Sequence, residues 1–358
     1  MIIYFIFLML SFVPFFSATI IVADSPWTSF HSKKFSYDMR LHNTLKKTFI
    51  FEKTSIIPFT QLICSWNALR PQQGYFSFFA QVHDATTKKW GDWHHMADWG
   101  CGVQKTYARE SNGISSYAHV RLEVDAKKNA DGFRIKIEAH DGAFLNMLHG
   151  LFATTSDYDS FVPESADDII PHMESVMIEN LPKIAQFALD HKDNNRICSP
   201  VSCAMVVGYM SDSELDPCAF ADGVFDEGLS IYGSWACNVA HAFDVSKARV
   251  YFFIKRCNSF GDVHYQLMQG LPVIVSVRGT LPGALKPFPS GHLLVIIGWD
   301  KERGEVICHD PAAECHDDVL KRYALDDFLR AWERSYRLSY QVEPFSKKFS
   351  AKNNNAKH

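Results

Sequence analysis

A cysteine, a histidine and an aspartate, Cys198, His292 and Asp310, occur in that order along the chain. Each stands where a thiol nucleophile, its base and the group orienting that base could be held. The cysteine opens Cys198-Ser199-Pro200-Val201-Ser202-Cys203-Ala204-Met205-Val206-Val207-Gly208-Tyr209. Pro200 suits the first turn of a helix, where its missing N–H leaves nothing unpaired. The residues after it predict a mostly apolar, buried helix with Gly208 near its end. Cys198 then sits at or just before the helix N-terminus, where the macrodipole favours a thiolate. Backbone N–H groups at the same place can contribute to an oxyanion hole.

The histidine opens a continuous apolar run, Gly291-His292-Leu293-Leu294-Val295-Ile296-Ile297-Gly298, that reads as a buried strand. Lys301-Glu302-Arg303-Gly304 is a polar turn, and Glu305-Val306-Ile307-Cys308-His309-Asp310 returns as the next strand. With the turn centred near Glu302, position 294 lies opposite 310. Residues 292 and 294 share a face, because strand side chains alternate. Asp310 becomes the diagonal neighbour of His292. A carboxylate there fixes the imidazole tautomer while the other ring nitrogen takes the thiol proton. A bulge in either strand would shift this pairing by one residue.

The elements around this set fall into two patterns. From about residue 45 to 155 the apolar residues alternate with period two: Phe76, Phe78 and Ala80; Val120, Leu122 and Val124; Phe133, Ile135 and Ile137. Gln73-Gly74, Ser111-Asn112-Gly113 and Ala130-Asp131-Gly132 mark turns. Short strands in series predict an antiparallel β-sandwich. Trp66, Trp90, Trp93 and Trp99 fall in this half, where aromatics fill a core or bind a glycan or peptide. Residues 156–178 are polar and acidic and read as a linker, and a helix followed by strands begins after Pro182. The expected class is α+β: a sandwich over 24–155, the linker, a second domain over 179–345 and a disordered tail over 346–358.

Composition bounds the function. The 358 residues are 47% hydrophobic, enough for two cores, and the net charge of −4 offers no footprint for nucleic acid. Ile2 to Ala23 carries no charge and predicts a cleaved signal peptide or a retained membrane anchor, with Ile21-Val22-Ala23 as the cleavage point. An exported protein follows, meeting a membrane only if that segment is kept. Nine cysteines leave eight to pair if one is catalytic; Cys64 and Cys101, alone in the N-terminal half, form the first candidate disulfide.

Taken together, these residues resemble the papain-like cysteine peptidases of the bacteriocin-processing type (peptidase family thirty-nine), in the secreted bacterial branch with an N-terminal β domain. The resemblance runs through Cys198-Ser199-Pro200-Val201-Ser202, Ala204-Met205-Val206, Gly270-Leu271-Pro272-Val273, Leu281-Pro282-Gly283-Ala284, Gly291-His292-Leu293-Leu294-Val295 and Asp310-Pro311-Ala312-Ala313. Arg322-Tyr323, Phe328, Ala331-Trp332 and, upstream, Ser65-Trp66-Asn67-Ala68 also match. It implies a papain-like fold, a protein or peptide substrate, no cofactor, and an oxyanion-hole glutamine at Gln186, twelve residues before Cys198. Two positions depart from the family pattern: Ile197 replaces a common Trp, and Gly233-Ser234-Trp235-Ala236-Cys237-Asn238 replaces a frequent Gly-Asn-Trp-Pro-Phe-Asn. Both concern the substrate-binding surface.

Three other readings compete. Cys308-His309 with Cys315-His316, or less so His94-His95, could ligate zinc, although the spacing is not a standard one. The chain could be a binding protein with an inactive second domain. The triad could also pass its acyl group to an amine instead of water.

Overall fold

The computed structural model describes residues 27–43, 46–111, 113–118 and 120–345. The apolar run over 1–23 and the tail over 346–358 lie outside them, as does Asn112.

The first half is built almost wholly of strands: β1 (Thr28–Lys34), a short helix α1 (Tyr37–His42), β2 (Thr48–Phe59), β3 (Gln61–Ala68), β4 (Tyr75–Asp84), β5 (His94–Gly100), β6 (Val103–Thr106), β7 (Glu110–Ser111), β8 (Ser115–Ala118), β9 (Arg121–Val124), β10 (Ala130–His140) and β11 (Leu148–Ser156). They form two antiparallel sheets, ordered β1-β11-β3-β9-β8-β7 and β2-β10-β4-β5-β6. Trp66 on β3 stacks on Phe78 of β4 with ring centroids 3.9 Å apart, joining the two sheets through an aromatic contact. The four tryptophans divide: Trp66 and Trp99 are in the core, while Trp90 and Trp93 are half-buried and lie under Arg134 and Lys136.

One expected turn is not a turn. Ala130-Asp131-Gly132 begins β10, and the pairing slips there against both β2 and β4. The bulge turns Asp131 toward His83 and Lys88, at 2.6 Å from each. A side chain at position 132 would meet the Lys53 carbonyl at 2.9 Å, so the glycine serves close strand approach instead of chain reversal.

The second half contains α2 (Ala166–Ile169), β12 (Val176–Met177), α3 (Cys198–Ser211), α4 (Pro217–Gly223), α5 (Trp235–Val245), β13 (Val250–Arg256), α6 (Phe260–Met268), β14 (Val273–Gly279), β15 (Phe288–Asp300), β16 (Glu305–His309), β17 (Leu320–Ala324), α7 (Leu325–Glu333) and β18 (Leu338–Pro344). The sheet runs β13-β18-β14-β15-β16-β17, with β12 added alongside β15. The molecule is thus mixed α and β with antiparallel sheets throughout. Residues 156–178 are tied down: Glu164 accepts from the Phe260 N–H, and Val176–Met177 pair with Trp299 and Gly298.

Strand β13 is an edge of its sheet, and bare edge N–H and C=O groups must find partners. Here the N-terminal half supplies them from side chains. The Asn67 amide donates to the Phe252 carbonyl at 2.7 Å and accepts from the Phe252 N–H at 2.9 Å, so one side chain imitates a neighbouring strand. Ser65 accepts from the Ile254 N–H at 3.3 Å and Thr154 donates to the Ile254 carbonyl at 3.1 Å. Replacing Asn67 by Leu strands two buried backbone groups, and should lower stability by about 2–4 kcal/mol, read as a shift in the urea unfolding midpoint.

Candidate active site

Cys198 is the first residue of α3 and Pro200 the third, with Ile197 at the N-cap. The helix is buried nearly all round, as its mostly apolar sequence predicts. Gly208 lies within it, and the chain leaves at Asp212, which adopts a left-handed conformation. Two contacts seat the helix on β15. Ser202 Oγ donates to the Leu293 carbonyl at 3.1 Å, and the Leu293 N–H donates to the Cys198 thiol. The nucleophile's helix is thereby anchored at the residue beside His292.

Strand β15 starts at Phe288, so His292 lies inside the strand instead of opening it. The Phe288 ring stacks on the imidazole with centroids 4.1 Å apart. His292 Nε2 bonds Asp310 Oδ1 at 2.6 Å, and the imidazole also bonds the Cys198 thiol. The ring therefore bridges thiol and carboxylate. Asp310 is fixed by two further donors: the Ala312 N–H reaches Oδ1 at 2.8 Å and the Tyr323 hydroxyl reaches Oδ2 at 2.7 Å.

The strand register that achieves this includes a bulge. Asp300 pairs with Glu305 and Trp299 with Val306, but the pairing slips between Ile296 and Gly298, after which Val295 faces His309. One step further places 294 opposite 310. Without the slip, the four-residue turn would have left Asp310 facing Val295, on the other side of the sheet. Gly298 permits the bulge to be covered: a Cβ there would come within 2.7 Å of the Val176 carbonyl on β12.

The electrostatics follow from this packing. Burial alone would push the Cys198 thiol up, but the adjacent His292 charge and the Leu293 N–H outweigh it and bring the pKa below the ordinary thiol value. Burial likewise opposes a charged His292, yet Asp310 and Cys198 raise its pKa to about 10. Asp310 is nearly fully buried, which disfavours its charge, and His292, Tyr323 and the Ala312 N–H still hold its pKa below the usual carboxylate value. Both shifts stabilise a thiolate–imidazolium pair through neutral pH. Burial raises the buried Cys64, Cys203, Cys237, Cys257 and Cys308 instead.

Gln186 is buried and does not line the cleft that opens onto Cys198. Its Nε2 donates to the Asn194 carbonyl at 2.8 Å, its N–H donates to the Pro311 carbonyl at 2.8 Å, and its Oε1 is buried without a partner. It is tied to the loops that follow Asp310 and precede Cys198, with one amide hydrogen still free to donate. The cysteines expected to pair do not: all nine are free, with Cys64 buried and Cys101 exposed. The residues weighed as zinc ligands are engaged separately, His309 with the Pro182 carbonyl, His316 with the Ala185 N–H, and Cys315 with Asp318. His94 bonds Ser115 and His95 bonds Asp98. Tyr323 carried no assigned role in the sequence, because only folding brings β17 beside β16. The Ala312 bond, by contrast, was available from Asp310-Pro311-Ala312, the local pattern of an aspartate accepting from the N–H two residues on.

Residues 178–340 match the Peptidase C39 like family, and residues 51–139 match the Peptidase C39 N-terminal domain. The second half of the chain is thus similar to the Peptidase C39 like family and the first half to that family's N-terminal domain, consistent with a papain-like peptidase of the C39 type. Among solved structures, a C39-like peptidase from Bacillus anthracis is 17% identical over 48% of this chain and 99% of its own, with a TM-score of 0.38. Xylellain, a cysteine protease from Xylella fastidiosa, is 10% identical over 52% of this chain and 91% of its own, with a TM-score of 0.32. At those scores neither bears on fold or mechanism. No curated protein matches the chain.

Two outcomes test the electrostatics. Alkylation of Cys198 by iodoacetamide should reach half its maximal rate at a pH below the ordinary thiol value of about 8.5, and return toward it in His292→Ala. Tyr323→Phe removes one of the donors that hold the Asp310 pKa down and should lower kcat/KM by about tenfold in a peptide-hydrolysis assay.

Proposed function

We propose that the chain is an exported cysteine peptidase that hydrolyses peptide or other amide bonds through a thioester intermediate. One observation carries this reading: a single imidazole bonded on one side to Asp310 and on the other to a thiol at a helix N-terminus. The Cys198 thiolate attacks the scissile carbonyl carbon, and the carbonyl electrons move to oxygen. The Cys198 backbone N–H and the second amide hydrogen of Gln186 donate to that oxyanion. As the tetrahedral adduct collapses, the His292 imidazolium gives its proton to the leaving amine. Neutral His292 then takes a proton from water, whose oxygen attacks the thioester, and the thiolate is expelled with the acid product. Asp310 stays ionised throughout and holds the ring.

We read residues 24–155 as a β-sandwich domain, 156–178 as a connector and 179–345 as the papain-like domain. The two sheets of the first half and the Trp66–Phe78 stack support this division. Export rests on the uncharged run from Ile2 to Ala23. An N-terminal sequence beginning near Asp24 in extracellular or periplasmic protein would support it; recovery in the cytosol with the run intact would refute it.

Purified protein treated with an epoxide-type cysteine-peptidase inactivator should carry the label at Cys198 by peptide mass mapping. Labelling should drop at least tenfold in His292→Ala, and casein or gelatin turnover should vanish in Cys198→Ala. Equal labelling with and without His292 would sink the assignment of His292 as base.

A further inference from the structure

The cleft onto which Cys198 opens has a volume of about 580 Å³ and an uneven charge. Its walls carry five arginines, Arg121, Arg196, Arg256, Arg278 and Arg334, against one carboxylate, Glu123. This concentration occurs in a chain whose net charge is −4. Two of the five are partly neutralised. Arg121 Nε bonds Glu123 at 2.6 Å, and Arg196 lies 3.7 Å from Asp193. For Arg256, Arg278 and Arg334 no described carboxylate lies within ion-pair distance.

Arg256 and Arg334 are placed by neutral groups, and Arg278 is exposed. Arg256 is 3% exposed and donates to Gln61 Oε1, the Ser335 and Tyr336 carbonyls and the Tyr158 hydroxyl. Its hydrogen bonds are satisfied but its charge is not, which is costly in a buried site unless an anion arrives. Arg334 Nη1 lies across Gly279 and donates to the Arg278 carbonyl at 3.3 Å. A Cβ at 279 would come within 2.5 Å of that nitrogen, so the glycine, at φ +80°, keeps the slot open. Arg278 follows Val277, which pairs directly with His292. Arg121, Glu123 and Tyr158 come from β9 and the segment after β11, so the N-terminal half builds one wall of the cleft.

Resting on the reading of Cys198 as nucleophile, we propose that this cleft selects peptides carrying a carboxylate beside the scissile bond, bound by Arg278 and Arg334 and favoured by the charges of Arg256 and Arg121. A guanidinium fork matches a carboxylate in shape as well as charge. The scissile amide itself is neutral, so this excess of positive charge serves another part of the substrate. The carboxylate is an acidic side chain or a free C-terminus.

The test uses the full chain with Cys198→Ala, so that peptides bind without turnover. Fluorescein-labelled alanine hexapeptides with one Asp or one Asn at each position, ending in acid or amide, are titrated by fluorescence anisotropy. The best carboxylate-bearing peptide, with an internal Asp or a terminal acid, should bind about tenfold tighter than its Asn or amide counterpart, with the gap narrowing at high salt. Arg278→Gln and Arg334→Gln should each shrink the gap severalfold while leaving the affinity of the amide-ended Asn peptide, which has no carboxylate, unchanged, which also verifies that they fold. A stronger effect of the terminal acid than of any internal Asp identifies a C-terminal carboxylate; the reverse identifies a side chain. Binding that is the same for Asp and Asn and for acid and amide ends, no binding of any peptide, or a preference that survives both arginine variants overturns the proposal. Iodoacetamide labelling of the unmodified chain is the separate check on Cys198: its failure sinks the nucleophile and leaves the binding result standing on its own.

Discussion

The bond between His292 and Asp310 is the constraint on which the rest of the site depends. Both groups are almost fully buried, and removing two charges from water costs more than their attraction returns unless further hydrogen bonds complete the geometry. Tyr323 and the Ala312 N–H supply those bonds on the carboxylate side, while Cys198 and the Phe288 ring hold the imidazole. The pair raises the proton affinity of His292, and that retained proton lets a half-buried thiol ionise. The thiolate is therefore a consequence of the aspartate two groups away as much as of the helix beneath it.

This arrangement places demands on the backbone. The bulge between Ile296 and Gly298 sets the register, and the absence of a side chain at Gly298 lets β12 close over it. Ser202 then locks α3 to the carbonyl of Leu293, so the helix and strand that carry thiol and imidazole cannot slide past one another. Positioning is achieved by regular elements with one irregularity, which is stiffer than a site assembled from loops.

The N-terminal half contributes to the same rigidity. Asn67, Ser65 and Thr154 cap the edge strand β13, and Arg256 at the end of that strand is held from both halves at once. Tyr158 and Tyr336 stack at 4.0 Å beneath the same guanidinium. The cleft floor and one wall are thus interface, and the strand-rich half is joined to the site by buried polar contacts instead of a flexible tether.

Much of this was legible along the chain. Alternation marked β4 and β10, and the apolar runs marked α3 and β15, because periodicity records which face is buried. The order of Cys198, His292 and Asp310 was equally plain, each beside a helix or strand signal. Other features were not. Ala130-Asp131-Gly132 looked like a turn, since Asp-Gly has the same composition in a turn and in a bulge. Cys64 and Cys101 looked like partners only because their number was counted without their burial. Tyr323, the Gly298 bulge and the five arginines of the cleft had no local signature, for each acts on residues distant in sequence. The sequence by itself determined the strands β4, β10 and β15, the helix α3 and which side chains are chemically capable, because these rest on short-range pattern. Tertiary structure decided the register, the donors to Asp310 and the charge of the cleft, because electrostatics depends on distances that only packing sets.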